Sequence, residues 1–470
     1  MNILYAVSEA DPFVKHGGLG EVAGAFPVAM ARLGVDFRVI LPMYDGIPEE
    51  YRSAMELETV FHVSVALDTV ACGLYRLDYR GVVWYFIEND RVFGDLSTIG
   101  DDRRFAFFSK AVCVSLRNMD WRPDVIHCND WQTALVPFYL RDLQLRKGLE
   151  LPIRTVFTIH NVEFQGDFSY QTLTDVFGLS GILFAQGTME LEGHVNLMKG
   201  AIETADRVTT VSPSYARELT APDASGPLSQ VIANHQVIGI LNGAPEDVTP
   251  EKSPYVHQRY DADTMDLRLL NKLWIQEMCG LRVQIDAPLF GFVGRFLPRK
   301  GIGLLAEVLP EFLDRGVQLL FAGQGEGEMA ALVADLRQRY PLQVALLGYS
   351  DKKAAELYAG VDFLLMPSLE EPCGTAQMQA MRFGAVPVVR ETGGLRDTVV
   401  PFNSQHPEGW GFTFSVYDKQ HLRDAVSSAL AAFRVPETWE TLQRRCMARD
   451  SSWNGPAKEY LAVYEDLLKQ

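Results

Sequence analysis

The 470-residue chain lacks several features that mark other classes of protein. No apolar run approaches the ~20 residues of a membrane span, and no basic segment followed by an apolar core stands near residue 1. We therefore expect a soluble, cytoplasmic protein. CxxC pairs are absent too, which argues against a disulfide framework or a zinc site and favours reduced thiols. The six cysteines are scattered: Cys72, Cys113, Cys128, Cys279, Cys373 and Cys446.

Positive charge is also scarce. Lysine and arginine total 43 against 60 aspartates and glutamates, and the formal net charge is −17. This balance disfavours a nucleic-acid surface but still allows a local basic cluster for a phosphorylated metabolite. Hydrophobic residues make up 47% of the chain, enough for large cores. A chain of this length predicts two or three domains.

Short apolar runs alternate with helical patterns in both halves of the chain. This alternation predicts two doubly wound α/β domains whose strand ends line one cleft. We place the boundary between residues 241 and 242, before a linker at 245–263. Ser212-Pro213 predicts a helix start, and 220–227 reads as a loop. The predicted strands are Ile3–Val7, Asp36–Leu41, Val82–Ile87, Val125–Cys128, Thr155–Ile159, Val208–Val211, Leu289–Gly294, Val317–Ala322, Val344–Leu347, Phe363–Met366 and Val386–Arg390.

A glycine-rich loop follows the first apolar run. It contains Lys15, Gly17, Gly18 and Gly20 and leads into a helix predicted at 21–33. Glycines let backbone N–H groups approach an anion closely, and a helix N-terminus favours negative charge. The loop therefore predicts half of a phosphate-sugar or nucleotide site. A dinucleotide fingerprint and a simple glycine turn are the alternatives, since the spacing alone is weak evidence.

Two segments of the second half favour a diphosphate. Arg295 and Lys300 follow a predicted strand and could converge on phosphates, although a solvated basic turn would look similar. Further on, Glu371 precedes Gly374-Thr375-Ala376, which predicts a helix start. Its free N–H groups suit a phosphate, and the carboxylate suits sugar hydroxyls. An acidic loop before an amphipathic helix is the alternative reading.

Polar residues also follow two strands of the first half. His160-Asn161 comes after one strand, and His127, Asp130 and Trp131 stand at the end of another. A histidine at a strand end is often structural. The neighbouring Asp130 and Trp131 are nevertheless typical of a carbohydrate subsite.

Taken in order, these segments resemble the bacterial glycogen synthases and plant starch synthases over nearly the whole chain. The matching segments are KHGGLGEVAGA at 15–25, RRFAFFSKA at 103–111, DVIHCNDWQTALVPFYL at 124–140, TIHNVEFQG at 158–166, ADRVTTVSPSYARE at 205–218, GILNG at 239–243, VGRFLPRKG at 293–301, LMPSLEEPCG at 365–374 and VVRETGGLRDTV at 388–399.

The resemblance implies a glycosyltransferase with two Rossmann-like domains of the GT-B type. It would transfer glucose from ADP-glucose to the non-reducing 4-hydroxyl of an α-1,4-glucan with retention of configuration, without metal or cofactor. Residues 1–241, joined by a C-terminal helix within 453–470, would form the acceptor side, and 242–452 the donor side. No nucleic-acid or membrane partner is implied, and self-association remains open.

The resemblance also implies roles for single residues. The His160 carbonyl would lie near the anomeric carbon, Arg295 and Lys300 would neutralise the leaving phosphates, and Glu371 would bind sugar hydroxyls. Neutralising the charge on the leaving group would be the main contribution to catalysis. The leaving phosphate itself can take the acceptor's proton. The remaining candidates for substrate binding are Lys15, Gly17, Gly18, Glu21, Asp130, Asn161, Tyr349, Cys373, Gly374, Thr375, Ala376 and Gln379.

The chain departs from the family pattern at Glu370, Thr375, Gln379 and the Ala244-Pro245 pair. These changes affect ribose, linker and acceptor regions more than the diphosphate cations. They leave two alternatives: a weakened homologue that binds glucan or regulates a partner, and a transferase with another donor or acceptor. A nicotinamide enzyme is a more distant alternative.

Overall fold

The computed structural model describes residues 1–66, 68–94, 97, 99–147 and 153–469. The chain divides into two compact units. Unit 1 is Met1–Gly243 with Trp453–Gln470, and unit 2 is Ala244–Ser452. The structure therefore closes the first unit at Gly243, whereas the sequence placed the boundary after residue 241. The acceptor and donor roles of the two halves stay predictions.

Unit 1 is built on a nine-stranded sheet. In spatial order its strands are Val237–Gly239, Arg207–Thr210, Arg154–Ile159, Val125–Asn129, Asn2–Ala6, Asp36–Pro42, Val82–Glu88, Asp68–Tyr79 and Glu56–Val65. All neighbours from Val237–Gly239 to Val82–Glu88 pair in parallel. The strands predicted for this half are confirmed to within about one residue at each end. Their carboxyl ends share one edge of the sheet.

An antiparallel hairpin at one edge of this sheet was not predicted. Its strands Asp68–Tyr79 and Glu56–Val65 extend the parallel sheet beyond Val82–Glu88. In the outer strand Phe61 and Val63 are buried while Val60 is exposed, so one face meets the core and the other meets solvent. This strand contains charged residues and therefore lacks the continuous apolar run that marks a strand buried on both faces.

Helices cover the sheet of unit 1, and a small sheet of Asp167–Phe168, His194–Asn196 and Glu190–Leu191 lies apart from it. The helices are Gly18–Arg32, Glu49–Arg52, Asp90–Phe93, Asp101–Ser115, Val136–Lys147, Tyr170–Asp175, Ile182–Ala185, Leu197–Thr204, Pro213–Glu218, Pro222–Ser225, Leu228–Ala233 and Asn454–Lys469, with a 3₁₀ turn at Trp131–Thr133.

Three helix predictions can be compared with these bounds. The cap at Ser212 is confirmed, because its hydroxyl accepts the Tyr215 N–H at 3.1 Å. The loop predicted at 220–227 was wrong in part, since a short helix occupies Pro222–Ser225 with proline at its first position, where the missing N–H costs nothing. The first helix begins at Gly18 rather than residue 21, so two of the loop glycines belong to its first turn.

Unit 2 contains a six-stranded parallel sheet. In spatial order the strands are Val344–Leu346, Gln318–Gln324, Leu289–Arg295, Phe363–Met366, Val386–Arg390 and Phe412–Phe414. All but Phe412–Phe414 were predicted. The helices are Arg268–Met278, Ile302–Val308, Pro310–Leu313, Gly327–Arg339, Asp351–Gly360, Ala376–Arg382, Gly393–Thr398, Lys419–Phe433 and Pro436–Met447, with 3₁₀ turns at Met265–Leu267 and Pro298–Lys300. Turns and irregular backbone occupy residues 240–264, where a linker was predicted.

The C-terminal helix, Asn454–Lys469, packs on unit 1. The ring of Phe26 lies 5.1 Å from that of Trp453 and 4.7 Å from that of Tyr460. Tyr464 is fully buried, and its hydroxyl lies 2.6 Å from Nδ1 of His127 in the central sheet. This helix therefore completes the core of unit 1, although it is far away in sequence.

Two features are absent from the described residues. No helix in these ranges is both long and apolar enough to cross a membrane. Among the same residues, no group of three or more histidine, cysteine, aspartate or glutamate side chains could hold a metal ion.

Candidate active site

The glycine loop of unit 1 is held by Glu9, a residue that the sequence analysis missed. Its buried carboxylate accepts hydrogen bonds from the N–H of His16 and, at 3.2 Å, from the N–H of Gly20. A Cβ built at Gly20 would lie 3.2 Å from Cα of Lys15, so the loop folds tightly against the helix start. Two N–H groups of the predicted anion loop thus already bind a carboxylate of this chain.

The other predicted residues of this loop lie around that contact. Gly17 immediately precedes the helix, and Gly18 is exposed at its first position. Lys15 and Glu21 are half-buried on either side of the helix start. A carboxylate at a helix N-terminus is favoured by the helix dipole, so Glu9 fixes the shape of the loop. Direct contact of Lys15, Gly17, Gly18 and Glu21 with a substrate stays a prediction.

A second buried carboxylate, Asp130, holds another backbone segment. Oδ1 of Asp130 accepts the N–H of His160 at 2.7 Å, and the N–H of Asn161 also donates to this carboxylate. The backbone of Asp130 has φ +54° and ψ −178°, a conformation that side-chain-bearing residues rarely adopt. Burial raises the pKa of Asp130 to about 7, although the two N–H groups oppose the shift. Asp130 therefore positions the main chain at His160.

The side chains of His160 and Asn161 are engaged within unit 1. Nε2 of His160 lies 2.9 Å from Oδ1 of Asn129, and burial lowers the pKa of the ring to about 3. At neutral pH this neutral ring is a poor proton acceptor. The amide oxygen of Asn161 accepts the N–H of Glu163 at 3.0 Å and closes a turn. The available chemistry of His160 thus belongs to its main chain.

His127, for which a structural role and a place beside a carbohydrate subsite were both open, is a core residue. Its side chain is fully buried, with Nδ1 2.6 Å from the hydroxyl of Tyr464 and Nε2 2.5 Å from the hydroxyl of Thr158. That hydroxyl lies 2.6 Å from the hydroxyl of Thr209. Burial lowers the pKa of His127 well below its ordinary value. His127 therefore has a structural role, as a histidine at a strand end often does.

Unit 2 brings Lys300 and Glu371 together. Nζ of Lys300 lies 2.6 Å from Oε2 of Glu371, which also accepts the hydroxyl of Ser368 at 3.0 Å. The Lys300 side chain is 25% exposed and that of Glu371 is 8% exposed. Gly301 makes this approach possible, because it has φ +79° and a Cβ there would lie 2.1 Å from the carbonyl oxygen of Pro367.

The backbone of the segment after Glu371 packs closely against two glycines. A Cβ at Gly393 would lie 2.0 Å from the carbonyl oxygen of Glu371, and one at Gly394 would lie 2.2 Å from that of Cys373. Nε2 of Gln377 donates to the carbonyl of Gly374 at 2.8 Å. Cys373, within this segment, is buried. The GG pair at 393–394 therefore serves backbone packing.

The predicted helix start after Gly374 is confirmed at Ala376, with Thr375 as the preceding cap position. Gly374, Thr375, Ala376 and Gln379 are all partly exposed, whereas the intervening Gln377 is buried. These four residues therefore share the accessible side of the helix start. Their contacts with phosphate or ribose stay predictions.

Arg295 and Tyr349 are two further donor candidates of unit 2. Arg295 is exposed at the carboxyl end of its strand. Tyr349 is 46% exposed and precedes Ser350, whose hydroxyl caps the next helix through the N–H of Lys353 at 3.2 Å. An exposed aromatic ring on a capped loop can stack on a base, as the resemblance implies.

The departures from the family pattern fall into two groups. Ala244 and Pro245 lie in the linker, where the guanidinium of Arg382 donates to both carbonyls. Glu370 is exposed beside the buried Glu371. Thr375 and Gln379 lie at the helix start described above. The contacts of Ala244 and Pro245 with Arg382 use main-chain carbonyls and do not explain their side chains, whereas the other three departures are exposed or partly exposed beside the candidate donor residues.

Comparison with known proteins agrees with this geometry. Residues 2–234 match the family model for the starch synthase catalytic domain, and residues 287–432 match that of glycosyl transferases group 1. The chain is 39% identical over 475 residues to the glycogen synthase of Anoxybacillus flavithermus, covering 100% of this chain and 98% of the relative. It is 40% identical over 475 residues to that of Desulfitobacterium hafniense, covering 99% of each.

Solved structures show the same similarity. The catalytic domain of starch synthase IV from Arabidopsis thaliana, bound to ADP and acarbose, matches with a TM-score of 0.93 and 30% identity. The match covers 100% of this chain and 99% of that one. Sucrose-phosphate synthase from Thermosynechococcus elongatus, with a TM-score of 0.63 and 20% identity, shares the fold alone. The predicted GT-B fold is confirmed, and the chain belongs to the glycogen and starch synthase family of glycosyltransferases.

Proposed function

We propose that this glycosyltransferase moves glucose from ADP-glucose to the non-reducing 4-hydroxyl of an α-1,4-glucan, with retention of configuration. The relatives named glycogen synthase match over their whole length, and the starch synthase IV structure contains ADP and acarbose. A nucleotide-sugar donor and a glucan acceptor fit both. The cytoplasm, where nucleotide sugars are made, is the expected compartment, and self-association is open.

The observation that carries the proposal is the Lys300–Glu371 pair. An ammonium group and a carboxylate lie 2.6 Å apart on a loop supported by glycines. A sugar diphosphate presents hydroxyls and phosphates side by side, so one molecule could engage both groups. Lys300, helped by Arg295, would neutralise the charge that develops on the leaving phosphate. Glu371 would accept hydrogen bonds from the glucose hydroxyls.

The proposed reaction needs no separate side-chain base. The bond between the anomeric carbon and the phosphate oxygen breaks, a bond to the acceptor oxygen forms, and the acceptor's proton passes to the leaving diphosphate. The neutral His160 ring, with its pKa lowered to about 3, agrees with this proton path. The His160 carbonyl, on a backbone held by Asp130, would face the anomeric carbon.

The remaining candidates complete the proposed donor site. Backbone N–H groups of Thr375 and Ala376 would bind the distal phosphate, and Tyr349 would stack on the adenine. Lys15 and the glycine loop would contact diphosphate and glucose.

The experiment is a donor panel. Pure protein is incubated with glycogen and labelled ADP-glucose or UDP-glucose, beside Lys300→Ala and the control Lys352→Ala, whose lysine is exposed on a helix of unit 2. We expect incorporation from ADP-glucose by the wild type and the control. No incorporation from either donor, together with measurable glucan binding, would favour the weakened homologue. Incorporation from UDP-glucose alone would overturn the donor assignment.

A further inference from the structure

The exposed aromatic side chains of unit 1 are concentrated in one segment. Among its described residues, the aromatic side chains with large exposure are Phe164, 50% exposed, and Tyr170, 43% exposed. Both follow His160 within ten residues of sequence. The other large exposed hydrophobic side chains of this unit are aliphatic: Met1, Leu57, Val60, Ile182 and Leu468.

The backbone on both sides of Phe164 is fixed. The N–H of Val162 donates to the hydroxyl of Tyr215 at 3.1 Å, and the N–H of Met198 donates to the carbonyl of Gln165 at 3.0 Å. A ring on a backbone fixed at both sides loses little freedom when a ligand covers it. Phe164 therefore offers a large apolar surface that is already in place.

The same segment lies against Trp131, next to the residue that holds His160. A Cβ at Gly166 would lie 2.9 Å from the Trp131 ring, so the absence of a side chain there lets the segment pack closely. Trp131 directly follows Asp130, whose carboxylate accepts the N–H of His160. The segment that carries Phe164 therefore contacts Asp130 through His160 at its start and Trp131 through Gly166 at its end.

Tyr170 has a comparable support. Its ring packs edge-on against Phe184 with a centroid distance of 5.0 Å. The amide of Asn196 donates to Oε1 of Gln165 at 2.7 Å and to Oδ1 of Asp167 at 2.6 Å, which fixes the chain between the two rings. Phe164 and Tyr170 thus stand on one stretch of backbone that the structure holds in place, and we call these two rings the aromatic track.

The chemistry of the aromatic track fits a neutral sugar chain. Glucose rings in an α-glucan present faces of C–H groups, which pack on aromatic rings while the hydroxyls stay in water. We propose that Phe164 and Tyr170 bind the α-1,4-glucan acceptor at glucose units beyond the non-reducing one. This proposal rests on the proposed function, because the glucan is its acceptor.

Acceptor length provides the test. We would measure kcat and KM with ADP-glucose and either maltotriose or maltoheptaose for the wild type, Phe164→Ala and Tyr170→Ala. A longer chain reaches the track, so we expect Phe164→Ala to raise the KM for maltoheptaose about tenfold and Tyr170→Ala about threefold. The KM for maltotriose, the KM for ADP-glucose and kcat should stay within about twofold of the wild type.

Two controls separate stacking from general damage. Phe164→Tyr keeps a ring and should keep the wild-type KM for maltoheptaose. Leu57→Ala removes an aliphatic side chain of similar exposure, 52%, on the edge strand, and should change neither KM. Unchanged KM values for maltoheptaose in both alanine variants, or equal rises for both acceptor lengths, would overturn the track.

Failure of the proposed function would give a result that differs from failure of the aromatic track. The wild type would then transfer no glucose to either acceptor. Maltoheptaose binding, measured by calorimetry without a donor, still tests the track in that case. Weaker binding by Phe164→Ala than by the wild type would support the track, and equal binding would overturn it.

Discussion

The two units prepare their candidate residues in opposite ways. In unit 1 the buried carboxylates of Glu9 and Asp130 bind backbone N–H groups of this chain. In unit 2 the carboxylate of Glu371 binds the ammonium group of Lys300, which stays partly exposed. Unit 1 therefore shapes its main chain with side chains, whereas unit 2 presents side-chain charge directly. We expect substitutions in unit 2 to remove chemistry and substitutions in unit 1 to disturb geometry.

The largest effect is expected for Lys300→Ala. Removing a cation that stabilises the leaving phosphate should lower kcat by about 10²- to 10³-fold, measured by initial rates with ADP-glucose. The same substitution should also lower stability, because it leaves Glu371, with its side chain 8% exposed, without its ion-pair partner, at a cost of about 1–3 kcal/mol.

A double variant separates the two effects of Lys300→Ala. Adding Glu371→Gln removes the unpaired charge, so Lys300→Ala/Glu371→Gln should recover much of the lost stability in denaturant unfolding while activity stays low. Recovery of activity in the double variant would show that Lys300 acts on Glu371 rather than on the donor. Lys352→Ala should match the wild type in both measurements, because Lys353 still pairs at 3.1 Å with Glu356, the carboxylate that Lys352 approaches at 3.9 Å.

The next largest effect is expected for Glu9→Ala, which tests the claim that unit 1 works through its backbone. The substitution frees the N–H groups of His16 and Gly20, so the glycine loop should lose its fixed shape. We expect kcat/KM for ADP-glucose to fall about tenfold to a hundredfold. Glu9→Gln keeps an acceptor oxygen and should recover part of the loss, whereas exposed Glu50→Ala should have no effect. Equal losses in the Gln and Ala variants would contradict a positioning role.

These two sites also show what sequence reasoning can reach. The parallel strands, the helix start at Ala376 and the chemistry of Lys300 were predictable because apolar runs, glycines and charged side chains are visible in the sequence. Glu9 was missed, and the role of His127 stayed open, for the same reason. Their partners are a backbone N–H or a hydroxyl brought close by tertiary folding, and Tyr464, which contacts His127, is 337 residues away. The identity of a residue alone does not predict such partners.

A smaller effect should appear in the pH dependence of kcat. Burial raises the pKa of Asp130 to about 7, and Glu9 adds to the shift through its nearby charge. The neighbouring rings of His160 and His127 stay neutral because burial lowers their pKa values, and burial also raises the pKa of Tyr5. Ionised Asp130 makes the stronger hydrogen bonds to the His160 and Asn161 N–H groups, so kcat should rise through about pH 7.

The control for this profile is Asp130→Asn, which cannot ionise and which has nearly the same size and shape as aspartate. Its kcat should be low and flat between about pH 6 and 8. The stability contribution runs the other way. The folded pKa lies above the ordinary value of 3.8, so this contribution is complete below that value and is lost as the pH rises through about 7. An unchanged rise of kcat in the Asn variant would assign it to another group.

The smallest effect is expected for Tyr464→Phe, which affects only the core of unit 1. The variant leaves Nδ1 of buried His127 without its hydroxyl partner, and we expect a loss of about 1–2 kcal/mol in the free energy of unfolding. Activity at 25 °C should not change. A large loss of kcat with unchanged stability would instead connect the C-terminal helix to the chemistry.

Transfer of glucose to the non-reducing end of a glucan can be tested by locating the label. The protein is given ADP-glucose labelled in the sugar and maltoheptaose, and the product is digested with β-amylase, which releases maltose from the non-reducing ends of α-1,4 chains. We expect the label in the released maltose, because a new α-1,4 bond at that end creates this substrate. Absence of transfer, or label that resists release, would contradict the proposed reaction.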